Sequence, residues 1–213
     1  MKIKLFVTDF DGVIYNFDKN NIQDGLYCNI KNIDPILHKN VKNFLFGQNK
    51  HIFYAWMRGW VDHNDLHYLM AKKFDTTVEF LNKELLDSIK QFDLNWELLN
   101  FIKSCKNNGI KTFILSDNLS PFTEILVPYF KLNGYFNKIY SSSDYHILKN
   151  DNKGKWLEDI IKENNFLPEE TLYIDDGEEN IENAKNKNIN TYLYNCDTRF
   201  NFDEWVNDII KNV

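Results

Sequence analysis

Four carboxylates and a hydroxyl are spaced so that together they could serve one site. Asp9 and Asp11 stand one residue apart in Thr8-Asp9-Phe10-Asp11-Gly12-Val13. Residues two apart in an extended segment face the same side, so both acids can serve one site, and Gly12 permits a tight turn behind them. Asp175 and Asp176 form a second pair in Tyr173-Ile174-Asp175-Asp176-Gly177. Ser116, in Ile114-Leu115-Ser116-Asp117-Asn118, adds a hydroxyl followed by backbone that can offer N–H groups to an anion. Each motif also has a plain structural reading. Asp-x-Asp-Gly is common turn chemistry, a serine often caps a helix, and paired acids suit the start of the next helix. What weighs against three coincidences is their shared context, for each follows a short apolar run.

Those runs are the elements that must position the acids. Ile3–Thr8, Lys111–Leu115, Thr171–Ile174 and Thr191–Tyr194 read as buried strands, with Lys138–Tyr140 a weaker fifth. Helix-period stretches lie between the later ones, at Trp96–Lys106, Pro121–Phe130, Lys155–Glu163 and Glu178–Lys187. Ser120-Pro121 reads as a helix start with a capping hydroxyl, and Asn108-Gly109 as a stop. Alternating strands and helices predict an α/β fold, a Rossmann-like parallel sheet with helices on both faces. In such sheets ligands bind at the C-terminal ends of the strands, where all three motifs fall. From about Tyr15 to Asn95 the alternation stops, and helical patterns near Pro35–Phe46, Asp62–Lys73 and Thr77–Lys90 replace it. The expected organisation is therefore a core of residues 1–15 and 96–213, with residues 16–95 a helical domain inserted after the first strand.

Composition narrows the function classes. The 213 residues carry 25 basic and 31 acidic side chains, a net charge of −6, which disfavours binding driven by nucleic-acid phosphates or anionic lipid. A small anionic substrate would need a local cation or metal. Cys28, Cys105 and Cys196 are odd in number and lie far apart, suggesting neither a disulfide framework nor a zinc site. The N-terminal apolar run is too short for a signal peptide, and none approaches the ~20 residues of a membrane span. The expectation is a soluble, cytoplasmic protein with no nucleic-acid or membrane partner. Its oligomeric state is not readable from the sequence.

Taken in order, Phe6-Val7-Thr8-Asp9-Phe10-Asp11-Gly12-Val13, Ile114-Leu115-Ser116, a lysine near Asn152-Lys153-Gly154-Lys155, and Leu172 through Ile181 resemble the motifs of the haloacid dehalogenase-like hydrolase superfamily. The resemblance covers both ends of the chain and implies sheet order 5-4-1-2-3, with the helical insertion standing where that superfamily carries its type-one cap. It implies that Asp9 is a nucleophile forming an aspartyl-phosphate. Asp11 then acts as general acid and later as base. Ser116 and Asp117 would bind the phosphoryl group, Asp117 through its N–H because many relatives carry Asn there. Mg²⁺ would be held by Asp9, the main-chain carbonyl of Asp11 and Asp176, with Asp175 acting behind them or through water. Lys153, 23 residues before Asp176, is favoured on spacing as the active-site lysine over Lys149, which precedes Asn150-Asp151. The implied activity is a Mg²⁺-dependent phosphatase acting on a small phosphorylated metabolite. A phosphomutase of the same fold, or a non-catalytic relative that binds a phospho-ligand or protein, are the alternatives. A dehalogenase fits poorly, since it needs no acid at Asp11.

Arg58-Gly59-Trp60-Val61-Asp62 resembles the cap turn of sugar-phosphate phosphatases in this group. Arg58 is expected either to reach a substrate's distal group or to form a surface salt bridge. Phe53, Tyr54, Trp56 and Trp60 are expected mostly to pack the inserted region. His63 and His67, at i and i+4, read as structural rather than as metal ligands.

Overall fold

A computed structural model describes residues 2–15, 25–47 and 50–194. Cys196 and the remainder of the expected core to residue 213 lie outside the described residues, as do residues 16–24 of the expected insertion. Strand β1 spans Leu5–Thr8. After it come the helices α1 (Ile30–Ile33), α2 (Pro35–Lys42), α3 (Lys50–Met57), α4 (His63–Phe74), α5 (Val78–Ile89) and α6 (Trp96–Asn107). Then follow β2 (Lys111–Ser116), the short α7 (Val127–Tyr129), β3 (Lys138–Ser141), α8 (Ser142–Tyr145), α9 (Lys155–Glu163), β4 (Thr171–Asp175), α10 (Glu178–Lys185) and β5 (Asn190–Leu193). The five strands form one parallel sheet in the order β3-β2-β1-β4-β5, the expected order.

β1 and β4 are buried along their whole length, which explains their unbroken apolar runs: helices cover both faces of the sheet. Alternate residues of β1 feed two cores. Leu5 and Val7 pack with Phe113, Leu115 and Tyr173 against Trp156, Leu157, Ile160 and Ile161 of α9 and Ile181 of α10. Phe6 faces the other way, joining Ile114, Leu172 and Ile174 in a cluster that continues through α6 into the inserted helices, with Leu37, Val41, Leu66, Met70, Leu81 and Leu85. Thr8 pairs with Ile114 on one side and Ile174 on the other. This register brings the ends of β1, β2 and β4 to one edge, and all three acid or hydroxyl motifs with them.

Inserted helices begin where their caps are legible. The Asp34 carboxylate accepts from the N–H groups of Ile36 and Leu37, Asp62 from Asp65, and Thr77 from Phe80. Ser120 differs from expectation. Its hydroxyl accepts from the Trp56 indole N–H at 3.3 Å and makes no cap, so it ties α3 to the segment after β2. The helix expected over Pro121–Phe130 is a wide π turn at Phe122–Leu126 followed by the short α7. No helix among the described residues is long and apolar enough to cross a membrane.

Candidate active site

β1 delivers Asp9 one residue past its last paired position, and the Asp9 N–H donates to the Ile174 carbonyl at 2.9 Å. One Asp9 carboxylate oxygen accepts from the Phe10 N–H at 2.6 Å; the other lies 2.6 Å from the ammonium of Lys149. That ammonium also donates to Asp175 at 2.8 Å. Lys149 and Asp175 are buried. The lysine in the cluster is therefore Lys149 and not the expected Lys153, which is exposed to solvent. Asn152, Lys153 and Gly154 all have positive φ, at 51°, 57° and 70°, and this left-handed run turns the chain into α9. Lys149 lies before the turn, and its backbone N–H is fixed by the Asp117 carboxylate at 2.8 Å.

Asp175 has both oxygens engaged. One accepts from the Gly177 N–H and the Asn180 amide, at 2.7 and 2.9 Å. The other accepts from Lys149 and from the buried Tyr173 hydroxyl. So many donors on one carboxylate suit it to aiming Lys149 rather than to direct ligation of a metal. Asp176 is half-buried beside Asp9 and Asp175, and the three can bring oxygens within 4.8 Å of one another. Gly12 is required here: a Cβ on it would come within 2.4 Å of an Asp176 oxygen, and its φ is +76°. Asp9 and Asp176 offer hard oxygen donors with no thiol or imidazole beside them, which fits Mg²⁺.

The electrostatics follow from several acids around one ammonium. Burial alone would push the Lys149 ammonium down, yet Asp175 and Asp9 outweigh it and hold the group above the usual lysine range. Burial pushes the Asp9 carboxyl well up; Asp175 and Asp11 add to this, and Lys149 offsets part of it. Burial raises Asp11 to about 7, with Lys149 opposing and Asp176 and Asp117 reinforcing. Asp11 also accepts from the Asn118 side-chain amide at 2.9 Å. Asp117, by contrast, is held chiefly by its bond to Lys149, and burial raises its carboxyl too.

Ser116 closes the site at the end of β2. It is 0% exposed, and its hydroxyl has no hydrogen-bond partner. A buried orphan hydroxyl is costly, at about 1–3 kcal/mol, unless something arrives to bond it. The Asn118 N–H, an expected anion donor beside it, is already spent on the Ser142 hydroxyl at 2.9 Å.

The inserted helices reach this edge through one turn. The Arg58 guanidinium grips Asp151 with two bonds, of 2.5 and 2.8 Å, and the Asp151 carboxylate also accepts from the Leu148 N–H. The Arg58 carbonyl accepts from a His146 ring nitrogen at 2.6 Å, and the Ser142 hydroxyl lies 2.7 Å from the Met57 carbonyl. Gly59, at φ +63°, sits so close to the Ser143 carbonyl that a Cβ would lie 2.0 Å from it. Arg58 thus forms a salt bridge, as one expectation held, but to the segment carrying Lys149. Of the aromatics, Trp56 is core, Tyr54 and Trp60 are exposed, and Phe53 is half-buried. His67 lies between the Tyr27 hydroxyl at 2.7 Å and Asn82 at 2.5 Å, and burial lowers it to about 4, a structural placement.

An open parallel sheet with carboxylates, an ammonium and an orphan hydroxyl gathered past its C-terminal edge is the build of an α/β enzyme that takes its ligand there. Residues 6–194 match the family described as haloacid dehalogenase-like hydrolase, and the chain belongs to it. No curated protein matches the sequence. Among solved structures, a HAD-like family hydrolase from Porphyromonas gingivalis is 20% identical with a TM-score of 0.72, over 97% of this chain and 98% of that one. A HAD family enzyme from Bacteroides thetaiotaomicron, in complex with magnesium and inorganic phosphate, is 20% identical with a TM-score of 0.66, over 89% and 93%. The L-2-haloacid dehalogenase from Xanthobacter autotrophicus, with chloropropionic acid covalently bound, is 16% identical with a TM-score of 0.58, over 89% and 76%. At these identities the likeness carries the fold.

Proposed function

We propose that this hydrolase is a Mg²⁺-dependent phosphatase that cleaves a small phosphomonoester through an aspartyl-phosphate on Asp9. The observation that carries the reading is Asp11. A second carboxyl two residues past Asp9, raised to about 7, can hold a proton at neutral pH and give it to a leaving oxygen. A halide leaving group needs no such acid.

An Asp9 carboxylate oxygen attacks phosphorus. As the P–O ester bond breaks, the departing oxygen takes the Asp11 proton and leaves as the alcohol. Asp11, now a carboxylate, takes a proton from water as that water attacks the same phosphorus, which releases inorganic phosphate and restores Asp9. Lys149, already bonded to Asp9, offsets negative charge that builds on the phosphoryl oxygens. The Ser116 hydroxyl donates to one of them. Asp175 and Tyr173 orient the Lys149 ammonium. Asp9, Asp176 and the Asp11 main-chain carbonyl would hold Mg²⁺, which neutralises phosphate charge among the acids when bound. In this reading the helices α1 to α5 act as the cap over the sheet edge. Three cysteines that lie far apart in sequence with no Cys-x-x-Cys pair fit a reducing compartment, and we assign the enzyme to the cytoplasm.

The test pairs two assays. Wild type with Mg²⁺ should release inorganic phosphate from p-nitrophenyl phosphate and no chloride from 2-chloropropionate, and Asp9→Asn should do neither. Beryllium fluoride should modify wild type and leave Asp9→Asn unmodified. Chloride release without phosphate release would make the protein a dehalogenase. Phosphatase turnover that survives Asp9→Asn would refute the covalent mechanism.

A further inference from the structure

Beside Asp11 lies a cavity of about 160 Å³ whose walls come from both the sheet edge and the inserted helices. We propose that it receives the leaving group of the substrate, and that this group is a neutral apolar alcohol about the size of one ring, such as a benzylic alcohol, rather than a sugar. The proposal rests on the phosphatase reading, which makes Asp11 the donor to the departing oxygen. Whatever carries that oxygen must then occupy the space Asp11 faces.

Three observations set the chemistry of that space. First, apart from Asp11 and Tyr15, the seven lining residues between β1 and α6 are a glycine and six apolar side chains, Phe46, Phe53, Met57 and Phe92 among them. Second, the polar groups at the sheet end are few, and each already has a partner. Asp11 accepts from Asn118, and Asp117 accepts from the Lys149 N–H. A sugar entering here would bring several hydroxyls to a mostly apolar wall that cannot bond them all, and unpaired buried hydroxyls oppose binding. Third, the rings stand as flat surfaces: Tyr15 stacks on Phe92 at 4.1 Å with 8° between planes, and Phe46 meets Phe53 at 4.9 Å. Flat aromatic walls favour an aromatic guest. An apolar protein cavity of about 150 Å³ holds a benzene molecule, so this volume suits a single ring. With Asp11 and Asp117 at its end, the cavity also disfavours a second anionic group on the substrate. The turn at Arg58-Gly59, which resembles that of sugar-phosphate phosphatases, does not line this cavity, and Arg58 is bonded to Asp151.

The test compares benzyl phosphate with glucose 6-phosphate on the Mg²⁺-loaded protein. Both release a primary alcohol, so the ratio of kcat/KM reads the pocket more than the intrinsic ease of departure. Benzyl phosphate should be preferred by roughly 10²-fold or more. Phe53→Asn and Met57→Gln, two half-buried positions, should each cut that preference about tenfold, the second guarding against misfolding of the first. A preference for glucose 6-phosphate, or turnover of p-nitrophenyl phosphate with neither alkyl ester accepted, overturns the pocket assignment and leaves the phosphatase reading standing. Absence of turnover with any monoester removes both.

Discussion

Lys149 places its ammonium between Asp9 and Asp175, and the interaction is buried. Removing the cation leaves two carboxylates facing each other away from water, a change that typically costs about 3–5 kcal/mol. Lys149→Met should therefore lose both stability and roughly 10²–10³-fold in kcat, while Lys153→Ala, out in solvent, should match wild type. Thermal melts alongside steady-state rates check the pair, and a crippled Lys153→Ala with a healthy Lys149→Met would reverse the assignment. Asp11 gives a prediction of opposite sign. Its carboxyl is raised to about 7 in the folded protein against ~3.9 when unfolded. Between those values the folded state keeps a proton that the unfolded state has released, so unfolding free energy falls as pH rises. About three units at 1.36 kcal/mol each bound the loss at about 4 kcal/mol. In EDTA, wild type should melt lower at pH 8 than at pH 5. Asp11→Asn, which has no proton to lose there, should melt above wild type at pH 8 and show a flatter profile. A variant that melts below wild type at both pH values would mean that Asp11 is not a strained acid.

The turn at Arg58 joins two elements that the sequence separates by 93 positions, α3 and the segment between α8 and α9. Asp151 is the hinge of this contact, since it takes two Arg58 bonds and fixes the Leu148 N–H, one residue before Lys149. Its carboxyl is held below the usual range, chiefly by the Arg58 hydrogen bond. Both partners are partly open to water, so the pair should add little to stability, about 1 kcal/mol or less. Its effect should instead fall on kcat, through the aim of Lys149. Arg58→Ala and Asp151→Ala are each expected to slow turnover about tenfold, and the double variant no more than either. Additive losses in that double-mutant cycle would show that the two act separately. The contact also marks where sequence reading stops. The ends of β1, β2 and β4 were legible because strands buried on both faces are apolar throughout and break sharply at Asp9, Ser116 and Asp175. α4 and α5 were legible from Asp62 and Thr77. α3 was not, because Ile52 through Met57 form a six-residue apolar run too short to tell a helix from a buried strand, and the Ser120 hydroxyl that looked like a cap answers to Trp56 instead. Lys149 lies before a left-handed turn, and Lys153 lies within it. Of the residues at that turn, Gly154 announces such a conformation, whereas Asn152 and Lys153 adopt it at a cost that spacing does not reveal.

Across the molecule, a chain with a net charge of −6 folds five of its acids, Asp9, Asp11, Asp117, Asp175 and Asp176, to one sheet edge around one buried lysine. That arrangement is strained without a further cation, and metal binding should appear as stability of the whole fold rather than of one loop, because Asp9 and Asp176 directly follow neighbouring strands of the same sheet. At a Mg²⁺ concentration a hundred times its dissociation constant, linkage gives about 2.7 kcal/mol. For a chain of this size that is roughly 5–10 °C in Tm. Asp176→Asn should remove most of the shift. Ca²⁺ should stabilise comparably yet support little turnover, since its larger, looser shell binds the acids without holding nucleophile and phosphorus in line. The pH dependence separates this from a nonspecific salt effect. Protons compete with the metal for the raised carboxyl of Asp9, so the Mg²⁺ increment should grow from pH 5 to pH 8. The decline with pH expected in EDTA should accordingly flatten or reverse in Mg²⁺. An equal increment at both pH values, or one that Asp176→Asn retains, would place the stabilising ion somewhere other than among these acids.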